Sequence, residues 1–553
     1  MGKKQKIYLL LLLLLGLAWF AVFILPNRTG AADATMLSVF EHDEYAQYPN
    51  LIQMFRGGET PLQAVKNFLT YLHYYYGFPF YLFSALPLFP LKWLLGVDWT
   101  AHTRLIVTLL RQLISVLPVL LSALLLVWDQ LRSRSPWKAL LTFLLLLSLP
   151  AVIANNLWWH PDGLQTLFCV LTILLLIRDD GRLGLSFYLS GVTCALAIGT
   201  KVFGVLFVAT YLAYLVYVRV ARKTAWKKIL LAGLLFVLLL GAAVLITNPL
   251  LLLPIERGEI ISVFKANLKQ NTQGFYVAGN EGGKLARYAD LLRTSYGGLL
   301  LFFSAAAAAM LGVLKKGKRL KYLVILTWVG AYFAYFLAFA STLRTHYFIP
   351  VVLPLYACLL DLVPAWQDLK LVQAAQRGLW ALLKNLAAVA VVLLTVFVIA
   401  WNTPTAVQLV REGTRREETS ASLALYRAFE QDVLPRIPRD TPLVIYRDWR
   451  AYVADDPHWQ VIYNWDLAGY SYLYEHQPDL LFIERENALY FADEAKVEQA
   501  LDQDRMRDMN AFYADVLTNT VDGYQQIYQD GFGFVFASDS LFDRYFKSAA
   551  SAT

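Results

Sequence analysis

Charged residues are scarce in this chain. Asp, Glu, Lys and Arg make up 16% of its 553 residues, hydrophobic residues make up 58%, and the mean hydropathy is +0.47. Soluble domains carry about 25% charged residues, so this composition excludes a soluble globular chain and indicates a polytopic membrane protein. The formal net charge of +8 does not indicate nucleic-acid binding, because acids outnumber bases in residues 402–553 and the basic excess lies in the apolar part of the chain.

Cysteine is also rare. Cys169, Cys194 and Cys358 all lie in apolar runs, and their spacing matches no metal-ligand pattern. They are therefore predicted to be small core residues, and no disulfide framework is expected. The sequence shows no repeat period and no low-complexity tract.

Long apolar runs dominate the first 401 residues. The run at 7–25 follows Lys3, Lys4 and Lys6 and is about long enough to span a bilayer, for which roughly 20 residues are needed. The flank 30–34 resembles a signal-peptidase site, but the run is longer than a usual signal sequence, so an uncleaved anchor is expected. Ten further runs bring the prediction to about eleven spans: 105–128, 139–154, 163–177, 184–199, 202–218, 229–249, 297–314, 322–340, 347–363 and 379–401.

The basic loops set the orientation. Lys and Arg concentrate in loops on the same side of the membrane as the N-terminus. The short loops on the other side, 155–162, 200–201 and 341–346, carry few. The positive-inside rule then puts the N-terminus in the cytoplasm and the C-terminal segment outside, with outer loops at 26–103 and 250–296. The expected location is a plasma membrane, that of a bacterium by preference. Glycines around Phe275 and Tyr276 predict that the loop 250–296 is a lid over a bound donor.

The segment 402–553 has a different character. Short buried-strand patterns alternate with amphipathic helical stretches such as 492–517. We predict an extracytoplasmic soluble α/β domain of roughly 150 residues. The predicted strands are 442–446, 459–463, 479–483 and 533–537.

Polar groups recur where the predicted spans meet the outer face. Asp43 and Glu44 lie in the first loop, and adjacent side chains point differently, so at most one of them can face a given substrate atom. These groups also have purely structural interpretations. Asp43 and Glu44 are typical of solvated loop acids, Asp162 of a helix cap, and Lys201 and Arg344 of interfacial anchors. The tyrosines at 71–76 are typical of a membrane-surface belt. The remaining members of the predicted site are Arg104, His160, His346 and Tyr347.

Five stretches of the sequence resemble a known family. An acidic pair after an N-terminal span, Asp43-Glu44, resembles the GT-C superfamily of glycosyltransferases, and within it the glycosyltransferase family 39 group of protein O-mannosyltransferases and lipid A aminoarabinose transferases. The likeness covers about residues 7–365. Its other stretches are Thr103-Arg104-Leu105, Pro161-Asp162-Gly163-Leu164, Gly199 to Gly204 and His346 to Pro354.

The resemblance implies an α-helical GT-C membrane domain over 1–401 and an enzyme that uses a polyprenyl-phosphate sugar and inverts the anomeric carbon. Asp43 would be the base or the acid that orients the acceptor, with Asp162 assisting, and the cations Arg104, Lys201 and Arg344 would be candidate contacts of the donor phosphate. The acceptor is a protein, a lipid or a glycan, and membrane lipids surround the spans. Metal use varies across the superfamily, so no cofactor is assigned and a divalent metal is left open.

Three other functions fit the sequence less well. Asn464-Trp465-Asp466 lacks the first Trp of the Trp-Trp-Asp motif of oligosaccharyltransferases, which argues against transfer of an oligosaccharide to Asn. A transporter or flippase of a lipid-linked substrate would carry ionisable residues near the membrane midplane, and the predicted spans have few. A third alternative is a membrane-anchored assembly protein in which residues 402–553 act.

Overall fold

The computed structural model describes residues 2–273, 283–315, 317–364 and 378–547. They form two compact units. The first contains the N-terminal stretch to Asn27, Asn50–Thr272 and residues 283–413; the second joins Arg28–Pro49 with residues 414–547. The predicted domain boundary at 401/402 falls inside one continuous helix, Leu379–Thr419.

Helices account for most of the described residues. Those before residue 200 are α1 (Lys3–Val22), α2 (Ile24–Arg28), α3 (Ala34–Phe40), α4 (His42–Gln53), α5 (Pro61–Leu69), α6 (Phe78–Ala85), α7 (Leu88–Leu95), α8 (Thr103–Leu110), α9 (Leu117–Leu126), α10 (Trp128–Leu131), α11 (Trp137–Ser148), α12 (Pro150–Asn155), α13 (Asp162–Asp179) and α14 (Leu185–Thr200). Those that follow are α15 (Phe207–Ala221), α16 (Trp226–Thr247), α17 (Pro254–Gln273), α18 (Lys284–Ser295), α19 (Leu299–Val313), α20 (Arg319–Phe339), α21 (Ile349–Tyr356), α22 (Leu379–Thr419), α23 (Ala421–Ala428), α24 (Tyr470–His476), α25 (Arg485–Phe491), α26 (Glu494–Glu498), α27 (Gln503–Thr518) and α28 (Asp539–Tyr545).

Short 3₁₀ and π segments join several of these helices. The 3₁₀ segments are Gly96–Ala101, Val202–Leu206, Pro249–Leu252, Thr345–Phe348 and Leu434–Arg436, and the π segments are Arg111–Val116 and Phe429–Val433. Two of them, Arg111–Val116 and Thr345–Phe348, help to position the candidate site.

Within the described residues, six helical stretches are long and apolar enough to cross a membrane, and the number rises to eight if each of two bent pairs is one span. The bent pairs are Phe78–Ala85 with Leu88–Ala101 and Lys284–Ser295 with Leu299–Val313. The chain is therefore an integral, multi-pass membrane protein, as predicted, while the count of about eleven spans stays a prediction. The six stretches are Lys3–Arg28, Thr103–Leu126, Val202–Ala221, Trp226–Thr247, Arg319–Phe339 and Leu379–Arg436.

Broken helices explain much of the difference in count. The predicted span 139–154 is divided at Leu149, where the backbone is extended and Pro150 begins the next helix. Proline has no N–H for the preceding turn, and it disfavours helical geometry in the residue before it. Conversely, α6 and α7 form one of the bent pairs, although sequence analysis places them in an outer loop.

The second unit contains a five-stranded mixed sheet. Its strands are β1 (Leu443–Arg447), β2 (Trp459–Ile462), β3 (Leu480–Glu484), β4 (Tyr524–Gln529) and β5 (Gly533–Ser538), in the order β2-β1-β3-β5-β4. β1 is parallel to β2 and β3, whereas β5 is antiparallel to β3 and β4. Successive residues of β3 enter opposite hydrophobic clusters: Leu480 and Phe482 join one, and Leu481 and Ile483 join the other.

Burial on both faces explains why β1, β3 and β5 were recognisable as unbroken apolar runs. β2 is a partly exposed edge strand, recognisable by its Trp, Val and Ile residues. The four predicted strands and the α/β class are confirmed. β4, with the sequence Tyr-Gln-Gln-Ile-Tyr-Gln, was missed because it is a polar edge strand. The predicted lid 250–296 is largely helical, because α17 and α18 occupy most of it. Phe275, Tyr276 and three of its glycines lie in the stretch 274–282, outside the described residues, so closure over a donor stays a prediction.

Candidate functional site

Asp162 is the first residue of α13, and its local fold is set by the glycine that follows. A Cβ built on Gly163 would lie 2.7 Å from the carbonyl oxygen of Ser115 and 2.8 Å from that of Ile114. Gly163 therefore lets the start of α13 pack directly against the π segment Arg111–Val116. The Ser115 hydroxyl adds a hydrogen bond of 2.6 Å to the carbonyl oxygen of Trp158, which fixes the segment before the helix.

The Asp162 carboxylate is fully buried and binds a lysine. Lys201 Nζ donates to both carboxylate oxygens, at 2.9 Å and 3.0 Å. Lys201 stands between α14 and the 3₁₀ segment Val202–Leu206, with an extended backbone that ends the helix. The alternative that Asp162 is a helix cap is not supported, because its carboxylate bonds to side chains, although a negative charge in the first turn also suits the helix dipole.

Two histidines complete the surroundings of this carboxylate. His160 Nδ1 contacts an Asp162 oxygen directly, and His346 Nε2 lies 3.9 Å from the same oxygen. An Nδ1–H bonded to a carboxylate leaves Nε2 of a neutral imidazole as an acceptor. The hydroxyl of Tyr76 lies 2.7 Å from His160 Nε2, so Tyr76, His160 and Asp162 form a continuous polar chain.

Aromatic rings enclose this group. Trp158 stacks on His160 with ring centroids 4.0 Å apart, and His346 lies 5.2 Å from the Trp158 ring. The Lys201 ammonium lies over the Tyr347 ring, 4.2 Å from its centroid, within the range of a cation–π contact. We call Asp162, Lys201, His160, His346 and Tyr347 the Asp162 cluster. All five were predicted as site residues.

The tyrosines at 71–76 do not form the predicted membrane-surface belt. Tyr71 and Tyr74 are buried, at 2% and 9% exposure, and Tyr71 stacks on Tyr81. Tyr76 joins the Asp162 cluster through its bond to His160. A cluster of tyrosines at the end of an apolar segment is typical of an interface, and nothing in its sequence distinguishes packing against a histidine.

The Asp162 cluster also offers ligands for a metal ion. One atom each from His160, Asp162 and His346 lie within 4.8 Å of one another. Two imidazole nitrogens and a carboxylate oxygen suit Zn²⁺ and similar divalent ions, so the residues fit such an ion after small side-chain movements. When bound, it would polarise a phosphate oxygen and would share the Asp162 carboxylate with Lys201.

The other predicted phosphate ligands of the first unit lie at element ends. Arg104 is the second residue of α8 and is half-buried. Arg344 is exposed and immediately precedes the 3₁₀ segment that carries His346 and Tyr347. Both positions match the prediction of cations at span ends, and their contact with a donor stays a prediction.

Asp43 and Glu44 belong to the second unit. They lie in the first turn of α4, where sequence analysis expected a loop. Glu44 is fully buried and Asp43 is half-buried, so the two adjacent carboxylates differ in accessibility, as their directions on a helix require. His42, one residue earlier, packs against Trp449 and Trp465, and burial lowers its pKa to about 4.

Comparison with known proteins agrees with the geometry of the first unit. The sequence profile of the family described as dolichyl-phosphate-mannose-protein mannosyltransferase matches residues 104–246, a segment that includes Arg104, His160, Asp162 and Lys201. Among curated proteins, none matches the chain.

One solved structure has a similar fold over nearly the whole chain. ArnT from Cupriavidus metallidurans bound to undecaprenyl phosphate is 15% identical, with a TM-score of 0.52 over 97% of this chain and 98% of that one. The oligosaccharyltransferase of Archaeoglobus fulgidus, in complex with Zn and sulfate, is 14% identical, with a TM-score of 0.42 over 95% of this chain and 73% of that one. The chain thus has an ArnT-like, polytopic α-helical fold with a small C-terminal sheet domain, and the predicted resemblance to GT-C glycosyltransferases is confirmed.

Proposed function

We propose that the chain is a membrane glycosyltransferase that moves a sugar from a polyprenyl-phosphate donor to an acceptor hydroxyl. The observation that carries the proposal is the Asp162 cluster, a buried carboxylate held by Lys201 and His160 inside the segment that the mannosyltransferase profile matches. The ArnT structure that shares the fold contains undecaprenyl phosphate, and a lipid of that class suits a chain of long apolar helices.

The chemistry assigns distinct roles to the two sets of acids. The acceptor oxygen attacks the anomeric carbon, the bond from that carbon to the phosphate oxygen breaks, and the electron pair leaves with the polyprenyl phosphate. Asp43 takes the proton of the acceptor hydroxyl. Lys201, Arg104 and Arg344 stabilise the charge that develops on the phosphate. Glu44 is fully buried and Asp43 is half-buried, so Asp43 is the better placed of the two to meet an acceptor hydroxyl.

Asp162 serves as the assisting acid in this scheme. Its carboxylate accepts two bonds from Lys201 and holds His160, so its charge is already compensated and it is poorly suited to remove a proton. It fixes the position of the ammonium, and the Tyr76–His160 pair extends the polar chain from it. Attack from the face opposite the phosphate inverts the anomeric carbon.

The distribution of basic loops supports a reaction on the outer face. Lys and Arg concentrate in the loops on the same side of the membrane as the N-terminus. By the positive-inside rule that side is the cytoplasm, and residues 402–553 are extracytoplasmic. A C-terminal reporter that fluoresces only in the cytoplasm is expected to stay dark. A bright reporter would contradict the orientation.

Turnover of a radiolabelled polyprenyl-phosphate sugar by the reconstituted chain tests the proposal. Asp43→Asn is expected to lower turnover by about 10²–10⁴-fold, the usual contribution of a positioned base, with little change in donor binding. Glu41→Gln, a change of the same kind two residues earlier, is the matched control and should retain turnover. The product should have the opposite anomeric configuration to the donor, which NMR can establish.

A transporter would give a different pattern. It would move the labelled lipid across a vesicle membrane without releasing polyprenyl phosphate, and Asp43→Asn would alter neither process. That result, or retention of the anomeric configuration, would contradict the proposal.

A further inference from the structure

The second unit contains a cavity of about 430 Å³, and no residue of the Asp162 cluster is among those that line it. This volume lies within the range of sites that bind small molecules, roughly 300–1,000 Å³. α3 and α4 supply Thr35 and Tyr45 to its wall, and β1, β2 and the segments beside β2 supply Arg447, Asp455, Trp459 and Tyr463.

Polar groups of the wall are held in place, and two of them lack a partner. Arg447 is 1% exposed, and its Nη1 donates to Ser38 Oγ at 2.8 Å, which fixes the guanidinium. Its Nε, like the hydroxyl of Tyr463, is buried and makes no hydrogen bond within the described part of the chain. Buried polar atoms are almost always paired in folded proteins, so two orphans on one cavity wall indicate a ligand that supplies oxygen atoms.

Aromatic rings form the rest of the wall. The rings of Tyr45 and Tyr463 lie 5.3 Å apart, and the Arg447 guanidinium lies 5.3 Å and 5.4 Å from their centroids. Aromatic faces present a flat apolar surface, and the charged groups between them form strong hydrogen bonds. A pyranose has matching chemistry, because its ring C–H groups form an apolar face and its hydroxyls surround that face.

The charge of the wall further restricts the class of ligand. Asp455 and Asp456 contribute two carboxylates against the one guanidinium of Arg447. This excess repels a phosphorylated or carboxylated sugar and favours a neutral or amino sugar.

We propose that this cavity binds a neutral or amino-substituted pyranose ring of the acceptor. The inference rests on the proposed function, which it extends by naming the acceptor as a saccharide. The link to the acceptor is α4, because this helix carries Tyr45 of the cavity wall and, two residues earlier, Asp43, the proposed base. Residues two apart lie on nearly opposite faces of a helix, so the ring held at Tyr45 and the hydroxyl that loses its proton at Asp43 belong to different parts of one extended saccharide acceptor.

Binding to the full chain in detergent, followed by saturation-transfer NMR, tests the proposal. The probes are methyl α-glucopyranoside, glucosamine and, as the anionic counterpart, glucose 6-phosphate. We expect one or both of the first two to bind and glucose 6-phosphate to bind at least about tenfold more weakly, a difference of roughly 1.4 kcal/mol. Failure of both uncharged and amino probes to bind would overturn the proposal.

Tyr463→Phe provides the most discriminating variant. It removes only a hydroxyl that makes no hydrogen bond to any of the described residues, so the thermal midpoint should stay the same or rise, while probe binding should weaken by about tenfold. Tyr528→Phe on the opposite edge strand, β4, is the matched control and should bind the probe normally. Unchanged binding by Tyr463→Phe would show that the hydroxyl does not contact a sugar and would overturn the assignment.

Asp43→Asn separates this inference from the proposed function. It should retain probe binding and lose turnover. If the unmodified chain binds the probe but shows no transfer with any donor, the proposed transferase activity fails and the cavity remains a saccharide site. If the chain transfers sugar but binds no pyranose probe, the cavity assignment fails and the transferase remains.

Discussion

The first unit contains two buried pairs of Asp and Lys, and their surroundings differ. Asp162 pairs with Lys201 among His160, His346 and the rings of Trp158 and Tyr347. Asp361 pairs with Lys321 at 2.5 Å and accepts two further bonds, from the Gln130 amide at 3.1 Å and the Tyr322 hydroxyl at 3.3 Å.

The comparison shows that a buried ion pair alone does not define a reactive site. Around Asp361, neutral donors complete the hydrogen bonding of the carboxylate, as is typical of a structural pair. Around Asp162 the additional partners are two imidazoles, which can change protonation state or bind a metal. The chemistry therefore depends on the residues beside the pair, and substitutions at matched positions of the two pairs can separate function from stability.

The largest expected difference comes from the acids. Asp162→Asn should lower turnover by about 10²–10³-fold per folded molecule, comparable to the loss of a preorganised electrostatic group. Asp361→Asn breaks a similar buried pair and should lower the yield of folded protein without lowering turnover per folded molecule. Turnover normalised to the monodisperse fraction in gel filtration measures both. Equal normalised turnover in the two variants would mean that the Asp162 pair is structural as well.

The lysines are expected to show a smaller contrast. Lys201→Ala should weaken donor binding by about 10- to 100-fold, in line with the loss of a hydrogen bond to a charged group, and should lower turnover too. Lys321→Ala should leave the affinity for donor unchanged. Binding of a fluorescent polyprenyl phosphate to the purified variants provides the measurement, and a normal affinity in Lys201→Ala would remove this lysine from the phosphate site.

Sequence analysis recovered the Asp162 cluster because its members share one property that a pattern can show. His160, Asp162, Lys201, His346 and Tyr347 are polar residues at the ends of apolar runs, and all but His160 lie in stretches that resemble family motifs. The same property is absent from Tyr76 and from the tyrosines beside it, whose contacts depend on how the loop folds against α13. Asp361 also escaped notice, because an acid near the end of an apolar run is equally typical of a surface residue.

The fold was predictable to a similar extent. Strands buried on both faces give unbroken apolar runs, so β1, β3 and β5 were found. Of the two edge strands, β2 was found through Trp459, Val461 and Ile462, whereas the more polar β4 was not. The helices α3 and α4 were expected to be a loop, since their residues have no regular apolar period. α3 is instead stabilised by tertiary contacts: Asp33 caps it by accepting from Met36 N at 2.7 Å and bonds the Tyr452 hydroxyl at 2.7 Å.

A third buried acid extends the comparison to a carboxylate that lacks a bonded cation. Asp448, in the second unit, accepts from the hydroxyls of Tyr446 and Tyr513 and from Glu484 N. Burial raises its pKa from 3.8 to about 6, and burial together with the charge of Asp448 raises the pKa of Glu484 from 4.5 to about 7. The folded second unit therefore holds these protons more tightly than the unfolded chain does.

The smallest effect we predict follows from these two pKa values. Their stabilising contribution is complete below about pH 4 and is lost as the pH rises through about 6 and 7. The lowered pKa of His42 has the opposite effect over part of this range, so the measurement is made in a His42→Asn background. In that background the opening free energy of β1 and β3, measured by hydrogen exchange of the full chain, should fall between pH 5 and pH 8 by an amount on the order of 3 kcal/mol.

Glu484→Gln, which imitates the protonated acid, should reduce that fall by about half. Glu498→Gln, at an exposed position at the end of α26, is the control and should show the same slope as the parent chain. Stability that instead rises with pH over this range would contradict the assignment of raised pKa values.

Gly163 has a consequence for mutational scans of this protein. It carries no reactive atom, yet a Cβ at this position would lie 2.7 Å from the carbonyl oxygen of Ser115. Replacement by alanine would move the start of α13, and Asp162 with it, while every charged group of the cluster stayed in the sequence. A mutational scan scored by activity would then rank Gly163 beside Asp162. A change of pH or added metal would not restore the activity of the Gly163 variant, because the backbone path would still be altered. A larger residue at position 163 needs a compensating change in residues 111–116, whose backbone it would contact. The two segments are therefore expected to vary together among related chains.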